Sequence, residues 1–367
     1  MKLQITAGAL LKALTIVNRA RVARSVLPIL DGVLMQIEDQ KLVLSRTILN
    51  LSIRTTIAVD YKSRGDVVAP ANSLTQLVSK LPQDEEIVIE SSEKQLAITS
   101  KHGKYEFATM LVDEFPRIRS HESDGEFRLN PERFATNVKR VAFCVSTDIS
   151  RPALNGVYWN TATGKTIMAA TDSHALSWNQ CDDAGGRTPI QGVIVPVDAM
   201  TIIAEIAKNS EEFFVAFKDV QVSFRADDTE VVSNLINGPY PDIDQVIPRD
   251  ADKVAVADRQ SMIEAIERLD IIADDFTHRL KFSLDQNTLS LSGSCSDARK
   301  IGMEVLECEF SGEQIEIAFN LRYVLNSLNH IDTQKVRIEM TTPQAATIFR
   351  PINVSEYFYL VMPLRPD

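Results

Sequence analysis

The sequence predicts an α+β fold of three similar domains, each with two helices packed on antiparallel sheets. A helix followed by a pair of strands occurs three times at intervals of about 125 residues, and a second helix recurs with the same spacing. Composition agrees, because 367 residues with 44% hydrophobic content can give three domains a core each.

The first repeated element is an amphipathic helix followed by two strands. In LLKALTIVNRA (10–20), apolar residues recur every three to four positions, which predicts a helix. ILDGVLMQI and KLVLSRT follow as strands joined by a turn at 38–40. The second copy has its helix at 132–145, followed by LNGVYWNT and TIMAATDSHALSW. The third has its helix at 261–273, followed by the hairpin RLKFSLDQNTLSLSG.

The second repeated element is a helix that again follows a strand and a capping residue. We predict these helices at 71–82, 195–209 and 318–331. The segments that close the first two copies are also alike, since DEFPRI corresponds to GPYPDI. Polar stretches then mark two boundaries, which gives domains at 1–124, 125–252 and 253–367.

The charge distribution allows two interpretations. A net charge of −11 argues against a simple nucleic-acid-binding protein, because an acidic chain repels phosphates at long range. Residues 1–30, however, contain no acid and five cations: Lys2, Lys12, Arg19, Arg21 and Arg24. They form either a solvated helix face with a basic loop or a local positive surface within an acidic exterior.

Cations also recur on the other predicted helices. Arg133, Asn137 and Arg140 are spaced to share one face of the first helix of the second domain. Each second helix carries one cation: Lys80, Lys208 and Arg322. The first helix of the third domain is the exception, because its acids outnumber its one cation.

One stretch raises the question of catalysis. ATDSHALSW sets Asp172, Ser173 and His174 side by side, the three residue types of a serine-hydrolase triad. We expect this stretch to be one extended strand, in which Ser173 points away from the other two side chains. The sequence contains no G-x-S-x-G nucleophile elbow. TGKT (163–166) ends like a phosphate-binding loop, but Trp159 stands where that loop needs its first glycine. We therefore predict no enzyme and no catalytic residues.

The remaining reactive residue types predict no metal and no cofactor. The four cysteines are far apart, and the five histidines show no ligand spacing. Isolated cysteines in a long chain are typical of thiols in a reducing cytosol. No apolar run approaches the roughly 20 residues of a membrane helix, and the N-terminal stretch lacks the features of a signal peptide. We expect a cytoplasmic protein.

Several short stretches of the sequence resemble those of one protein family. LPIL, LNGV, AATDSHAL, NGPYPDIDQVIP, IEIAFNLRYVLNSL and the terminal YLVMPLR occur in the order found in the beta subunit of bacterial DNA polymerase III. The resemblance covers the full length. It implies three clamp domains per chain and a head-to-tail homodimeric ring, with helices around a hole that holds double-stranded DNA without sequence specificity. It also implies a processivity factor that tethers the DNA polymerase III core, the clamp loader and other proteins with a clamp-binding motif.

The resemblance assigns site residues by position. It implies a peptide-binding pocket formed by Arg151, Leu154, Thr171, Ser173, His174, Ala175, Leu176, Pro241, Gln245, Val246, Asn320, Tyr323, Leu360, Met362, Pro363, Leu364 and Arg365. Their alternative role is that of ordinary core residues at strand ends. Arg24 matches a DNA-contacting position, and the charge pattern adds Arg19. Tyr105, Phe107, Ile271 and Ile272 match dimer-interface positions, with membership of a domain core as the alternative.

The chain departs from the family pattern inside the pocket. The usual loop is T-D-G-H-R-L, and here Ser173 replaces glycine and Ala175 replaces arginine. Gln245 stands where an arginine is common, and in the first domain the usual T-D-L-E is replaced by RTILN (46–50). Two lost cations weaken the case for binding an acidic motif residue. The alternative function is a clamp-like peptide-binding hub, or a mobile-element paralogue, with altered partners and poor loading.

Overall fold

The computed structural model describes residues 1–20, 27–118, 125–162, 164–182, 190, 192–295 and 298–365. These residues divide into two compact units. The first consists mainly of Met1–Ala135 and Asp198–Leu235. The second consists mainly of Thr136–Ala184, Pro189–Val197 and Ile236–Asp367.

Six α-helices lie within the described residues, at the positions that the repeat predicts. They are α1 (Ala7–Val17), α2 (Ala71–Val78), α3 (Pro131–Ala142), α4 (Val197–Ala207), α5 (Arg259–Asp270) and α6 (Leu321–His330). Side chains that precede the helices fix several of their starts. Thr6 accepts a hydrogen bond from the Ala9 N–H at 3.3 Å, and Asp258 accepts one from the Ser261 N–H at 2.8 Å.

Each domain contributes eight or nine strands within the described residues. The first domain has β1 (Lys2–Thr6), β2 (Gly32–Glu38), β3 (Lys41–Thr47), β4 (Leu51–Ala58), β5 (Asp60–Ser63), β6 (Asp66–Pro70), β7 (Glu86–Ser91), β8 (Gln95–Thr99) and β9 (Lys104–Ala108). The second has β10 (Phe127–Arg128), β11 (Gly156–Asn160), β12 (Thr166–Thr171), β13 (Ala175–Cys181), β14 (Val193–Pro196), β15 (Phe213–Lys218), β16 (Gln221–Ala226) and β17 (Thr229–Asn234). The third has β18 (Lys253–Asp258), β19 (Arg279–Asp285), β20 (Thr288–Cys295), β21 (Lys300–Ser311), β22 (Ile315–Asn320), β23 (Lys335–Met340), β24 (Thr347–Pro351) and β25 (Tyr357–Val361).

The described strands form three sheets, all of them antiparallel. The first unit holds a five-stranded sheet in the order β5-β1-β7-β8-β9 and an eight-stranded sheet in the order β10-β15-β16-β17-β4-β3-β2-β6. The second unit holds a twelve-stranded sheet in the order β14-β11-β12-β13-β25-β24-β23-β18-β21-β20-β19-β22. Each larger sheet therefore joins strands of two successive domains. The α+β prediction with antiparallel sheets is confirmed.

The cores lie between the helices and one face of the sheets. In α1, Leu10, Leu14 and Val17 are fully buried, and the helix packs against β3 and β4. In α5, Met262 and Ile266 are buried in the same way. The same helical spacing that predicted these elements thus provides their packing faces.

The expected continuous strand at 166–178 is wrong. It is a hairpin of β12 and β13 whose turn contains Ser173 with φ 77°. The Asp172 carboxylate causes the turn, because its Oδ1 accepts hydrogen bonds from the N–H groups of His174 and Ala175, both at 2.9 Å. The alternation of side chains that we expected does not apply at these positions.

The polar face predicted for α3 is only partly exposed. Asn137 is 7% exposed and accepts a hydrogen bond from Asn179 Nδ2 at 2.9 Å. Arg140 donates to Asn179 Oδ1 at 3.1 Å and lies 5.0 Å from the centroid of the Tyr357 ring. Because β13 presents the polar Asn179 to this helix, part of its packing face is polar. Arg133 is exposed.

Candidate functional site

A cavity of about 200 Å³ opens in the second unit, beside the β12–β13 turn. It is lined by Leu154, Thr171, Ser173, His174, Ala175, Leu176, Pro241, Asp242, Ile243, Val246, Leu360 and Met362. We call it the apolar pocket. Four segments meet here, at residues 154, 171–176, 241–246 and 360–362, and the pairing of β13 with β25 brings two of them together.

The floor of the apolar pocket is buried and its rim is exposed. Leu176 and Leu360 pair across β13 and β25 and are 3% and 2% exposed. They belong to a buried cluster with Ala169, Ala346, Ile348 and Phe358. Val246 and Met362, in contrast, are 46% and 41% exposed. A packed floor with an exposed apolar rim suits the insertion of an aliphatic or aromatic side chain.

A hydrogen-bond network fixes the wall of the pocket. The Thr171 hydroxyl donates to the Ala175 carbonyl at 2.6 Å and accepts from the Ser173 N–H at 3.1 Å. On the far side, the Tyr323 hydroxyl of α6 donates to Asp172 Oδ2 at 2.8 Å. Burial, assisted by this bond, raises the pKa of Tyr323 above its usual value. Tyr323 therefore supports the turn, and it lies outside the lining.

The triad residue types do not form a triad. The Ser173 hydroxyl accepts a hydrogen bond from Arg151 Nη1 at 2.9 Å and donates to the Asp172 carbonyl. The Asp172 carboxylate is occupied by the turn and by Tyr323. The hydroxyl thus faces a guanidinium, whereas nucleophilic activation needs an imidazole as its hydrogen-bond partner.

Ten of the predicted pocket residues line the cavity and seven do not. The seven are Arg151, Gln245, Asn320, Tyr323, Pro363, Leu364 and Arg365. Gln245 donates to Asp242 Oδ2 at 2.9 Å, and Asn320 caps α6 by accepting from the Arg322 N–H. The Leu364 N–H donates to the Ala318 carbonyl at 2.7 Å, which places this side chain at a different, larger cavity.

Sequence reasoning missed two lining residues, Asp242 and Ile243. Both follow Pro241 directly, so the continuity of PDIDQV was the available signal. Asp242 brings a carboxylate to the rim, and the lining contains no lysine or arginine. Ala175, where the family carries an arginine, is only 2% exposed. The pocket is therefore suited to apolar and uncharged groups.

Of the two predicted DNA-contacting residues, only Arg19 lies within the described residues. Arg24 lies outside the described residues. Arg19 forms an ion pair with Glu205 of α4, so its charge is already countered within the first unit. Lys12, Lys139 and Arg322 are exposed on their helices. The acids of α5 are exposed as well, in agreement with the uneven charge seen in the sequence.

The predicted interface residues lie near two open strand edges. Within the described residues, β9 pairs with β8 alone, and the first half of β21 pairs with β20 alone. Tyr105 is 37% exposed on β9, where Phe107 is half-buried. Ile271 is 71% exposed after α5, whereas Ile272 packs on Gly302 of β21.

Sequence reasoning missed an apolar stripe on this edge. Ile301, Met303 and Val305 of β21 are 84%, 69% and 58% exposed. The signal was their alternation in KIGMEVLECEF, which was not interpreted as an exposed strand. Exposed apolar residues on an open strand edge are unusual in a monomer and typical of a contact surface.

Within the part of the chain that the structure describes, no group of three or more His, Cys, Asp or Glu residues is arranged to hold a metal ion. No described helix is long and apolar enough to cross a membrane.

Comparison with known proteins places the chain in a family. Three family models match successive parts of it: the N-terminal domain of the DNA polymerase III beta subunit over residues 1–119, the central domain over 128–242 and the C-terminal domain over 244–365. Among curated relatives, the beta sliding clamp of Synechococcus elongatus is 28% identical, over 100% of this chain and 99% of the relative. That of Pseudomonas aeruginosa is 26% identical, over 100% of both chains.

Solved structures agree with the family models. The DNA polymerase III subunit beta of Pseudomonas aeruginosa is 25% identical with a TM-score of 0.93, and both chains are covered completely. The sliding clamp of Bartonella birtlesii bound to griselimycin is 25% identical with a TM-score of 0.95, again over 100% of both chains. This chain belongs to the DNA polymerase III beta subunit family.

Proposed function

We propose that this protein is a sliding clamp, which encircles double-stranded DNA as a homodimeric ring and tethers client proteins to it. The function needs no catalytic residue and no cofactor, because the ring acts by keeping a bound polymerase near its template. The observation that carries the proposal is the way strands pair between successive domains. As a DNA replication protein of this kind, it is assigned to the cytoplasm.

The pairing rule is the same at both domain junctions. β4 of the first domain pairs with β17 of the second, and β13 of the second pairs with β25 of the third. In the third domain the strand equivalent to β4 and β13 is β21, whose first half is an open edge. In the first domain the strand equivalent to β17 and β25 is β9, also an edge. If the same pairing also forms between two chains, β21 of one chain pairs with β9 of a second copy.

Repetition of this junction closes the assembly. Each chain has one edge of each kind, so two copies related head to tail use both edges of both chains. The result is a ring of six domains with two identical contacts. A closed ring also leaves neither of these two edges open to further copies.

Equivalent hydrogen bonds fix the register of the proposed contact. Three N–H groups donate to carbonyls at equivalent positions of β6, β14 and β22: Met110 to Val68, Ile236 to Ile194 and Leu364 to Ala318. Five residues before these three donors lie Tyr105, Val231 and Tyr359. Val231 pairs with Ile53, and Tyr359 pairs with Ser177. The third-domain counterpart of Ile53 and Ser177 is Gly302, so we place Tyr105 opposite the partner's Gly302.

Cations on the helices supply the affinity for DNA. Lys12, Lys139 and Arg322 are exposed and attract phosphates without reading sequence. The net charge of −11 keeps DNA from adhering elsewhere. We retain Arg24 as a DNA-contacting residue from the family position. For Arg19, contact with DNA competes with its ion pair to Glu205.

The apolar pocket is the proposed site for clients, namely the DNA polymerase III core, the clamp loader and other proteins with a clamp-binding motif. One or two apolar anchors, each contributing about 1.5–3 kcal/mol on burial, correspond to micromolar binding once the costs of ordering a peptide are included. The residues assigned to it are the ten that line the cavity, with Asp242 and Ile243 added.

One observation favours a second candidate, a clamp with altered clients. Asp242 lies in the lining, and Gln245 is bonded to it, where the family commonly has an arginine. An acidic motif residue would meet a carboxylate here instead of a cation. A client set with uncharged motifs fits this pocket better than the family's usual one.

Retention on circular DNA tests the proposed function. The protein is loaded onto nicked circular DNA with a clamp loader, and the fraction that co-elutes with the DNA is measured before and after linearisation. A ring stays on the circle and is lost from the ends of the linear form. Equal retention on both forms would mean ordinary binding and would contradict the encircling function. Failure to load, together with intact peptide binding, would favour the hub.

The Ser173→Ala substitution should change peptide affinity by less than about twofold. The hydroxyl is exposed, and its bond with Arg151 contributes little because water can replace either partner. Fluorescence polarisation with a labelled clamp-binding peptide measures the effect. Loss of binding on this single change would instead place Ser173 in direct contact with the ligand.

Charge reversal on the helices should weaken DNA retention. The double variant Lys12→Glu, Arg322→Glu removes two exposed cations from two helices. The dependence of binding on salt should become shallower, by about one unit of slope for each lost phosphate contact. Arg64→Glu, an equally exposed cation outside the helices, is the matched control. An unchanged slope in the double variant would reject these helices as the DNA-facing surface.

A further inference from the structure

A second cavity of about 200 Å³ lies in the first unit. It is lined by Thr47, Leu49, Asn50, Ser52, Pro116, Arg117, Ile118, Gln221, Val232 and Asn234. We call it the polar pocket. None of these residues lines the apolar pocket, and three of them, Thr47, Leu49 and Asn50, belong to RTILN, where the family usually has T-D-L-E.

The turn of the polar pocket repeats the turn of the apolar pocket. The Thr47 hydroxyl donates to the Leu51 carbonyl at 3.2 Å and accepts from the Leu49 N–H at 3.1 Å. Thr171 makes the same two bonds in the apolar pocket. The third residue of each turn has the same left-handed backbone, with φ 74° at Leu49 and 77° at Ser173.

The strands behind the turn also repeat in register. Ser52 pairs with Val232 as Leu176 pairs with Leu360. The Asn234 N–H donates to the Asn50 carbonyl at 2.9 Å. Met362 makes the equivalent bond to His174 at 2.8 Å. The two cavities are therefore copies of one construction, placed at two successive domain junctions.

The side chains that line the polar pocket differ in chemistry from those that line the apolar pocket. Where the apolar pocket has Leu176, Leu360 and Met362, the polar pocket has Ser52, Val232 and Asn234. The Gln221 amide donates to Asn234 Oδ1 at 2.8 Å, which orients both amide groups at the cavity wall. Arg117 is the one ionisable group among the ten lining residues, and it is exposed. The lining thus offers a cation and several amide and hydroxyl groups, with no carboxylate.

One large apolar residue, Leu49, lies exposed at the entrance of the polar pocket. Leu49 is 62% exposed although it is large and aliphatic, and it occupies a left-handed backbone conformation that a leucine adopts only with strain. Glycine or asparagine would fit this turn with less strain. With Val232 and Ile118 in the lining, Leu49 provides a small apolar surface beside the cation.

We propose that the polar pocket binds an acidic linear segment of a partner protein, with an aspartate or glutamate carboxylate on Arg117 and an aliphatic side chain against Leu49. Charge complementarity selects this ligand, because an arginine with no competing carboxylate in the lining recognises a carboxylate by paired hydrogen bonds. A nucleic acid fits less well, since backbone recognition needs several cations along a groove. The site goes beyond the proposed function and does not depend on what the apolar pocket binds.

A synthetic peptide probe tests the proposal on the full chain. The probe is a fluorescent octapeptide of alternating leucine and aspartate, and its counterpart with asparagine in place of aspartate is the neutral control. We expect saturable binding of the acidic probe by polarisation. Arg117→Gln should weaken it at least tenfold, and Leu49→Gly severalfold. Arg64→Gln, another exposed arginine of the first domain, should leave it unchanged.

A second set of variants locates the probe. Met362→Ala, which alters the apolar pocket, should not change the affinity of the acidic probe. The proposal is overturned if no binding of the acidic probe is detected up to millimolar protein, if Arg117→Gln weakens the neutral peptide as much as the acidic probe, or if Met362→Ala causes the loss that Arg117→Gln does not. It is also overturned if duplex DNA displaces the probe and Arg117→Gln weakens the binding of DNA as strongly as it weakens that of the probe. Circular dichroism confirms that each variant is folded.

Discussion

Removing the residues after Val361 should reduce client-peptide binding by at least about fiftyfold and leave the three domains folded. The truncation keeps β25 complete, because that strand ends at Val361. It deletes Met362 from the rim of the apolar pocket, together with the bond from its N–H to the His174 carbonyl. The wall and the rim are then no longer joined, and the buried floor residues Leu176 and Leu360 become accessible to water.

The single substitution Met362→Ala should have a smaller effect in the same direction. It removes part of the apolar rim and leaves space that the packed floor cannot fill, which corresponds to a loss of about 1 kcal/mol, or fivefold in affinity. Val220→Ala, an exposed apolar residue of the first unit, is the matched control and should not change binding. Peptide titrations by polarisation rank the three variants. Unchanged binding by the truncated chain would remove the apolar pocket from the proposed function.

The truncation also has a cost in stability. The Leu364 N–H is hydrogen-bonded to the Ala318 carbonyl, and the Arg365 carbonyl accepts a bond from Arg279. Each such bond contributes about 1 kcal/mol to the free energy of unfolding. Thermal unfolding by circular dichroism should therefore show a small decrease in Tm for the truncated chain. A loss of the cooperative transition would mean that the segment holds the third domain together, and its effect on binding would then be indirect.

The repeat was predictable because it depends on periodicity alone. Helical spacing of apolar residues in 10–20 and the strand pairs that follow are local features of the sequence, and they locate α1, β2 and β3 correctly. The ends of these elements were less predictable. Helix α1 begins at Ala7 and not at Leu10, because the Thr6 side chain provides the cap.

The errors arose where one polar side chain changes the local structure. Asp172 turns the chain by binding two backbone N–H groups, which no alternation pattern reveals. Asn137 is buried because β13 places Asn179 directly against it, so its environment depends on a partner 42 residues away. Sequence spacing shows which residues share a helix face, and it does not show what packs on that face.

The pocket was predictable in part for a related reason. Residues on β13 and β25 could be assigned by family position, and the pairing of the two strands brings them together. Gln245 lies close in sequence to lining residues, but its amide is bonded to the Asp242 carboxylate. Leu364 lies at the larger cavity, where its N–H is bonded to the Ala318 carbonyl. The polar pocket could not be foreseen, because the similarity of its turn to that of the apolar pocket appears only in the hydrogen bonds.

Ile271→Asp should convert the proposed dimer into a folded monomer. Ile271 is 71% exposed in the single chain, so the substitution removes little packing within its own domain. In the proposed contact it lies after α5, next to Ile272, which packs on Gly302 of the open β21 edge. Tyr105 of the second copy is placed opposite that glycine. A carboxylate introduced into such an apolar contact has no partner there and weakens association by several kcal/mol, or at least about a hundredfold.

Sedimentation at several protein concentrations measures this effect directly. The wild-type chain should sediment as a dimer at micromolar concentration, and Ile271→Asp as a monomer of 40.9 kDa. Ile149→Asp is the matched control, because Ile149 is 91% exposed and lies far from either open edge in sequence. The control should remain a dimer with the wild-type Tm, and Ile271→Asp should unfold cooperatively at a lower Tm, because it lacks the stabilisation that association provides. A dimeric Ile271→Asp variant would show that the two chains associate through a different surface, and the proposed pairing of β21 with β9 would then have to be abandoned.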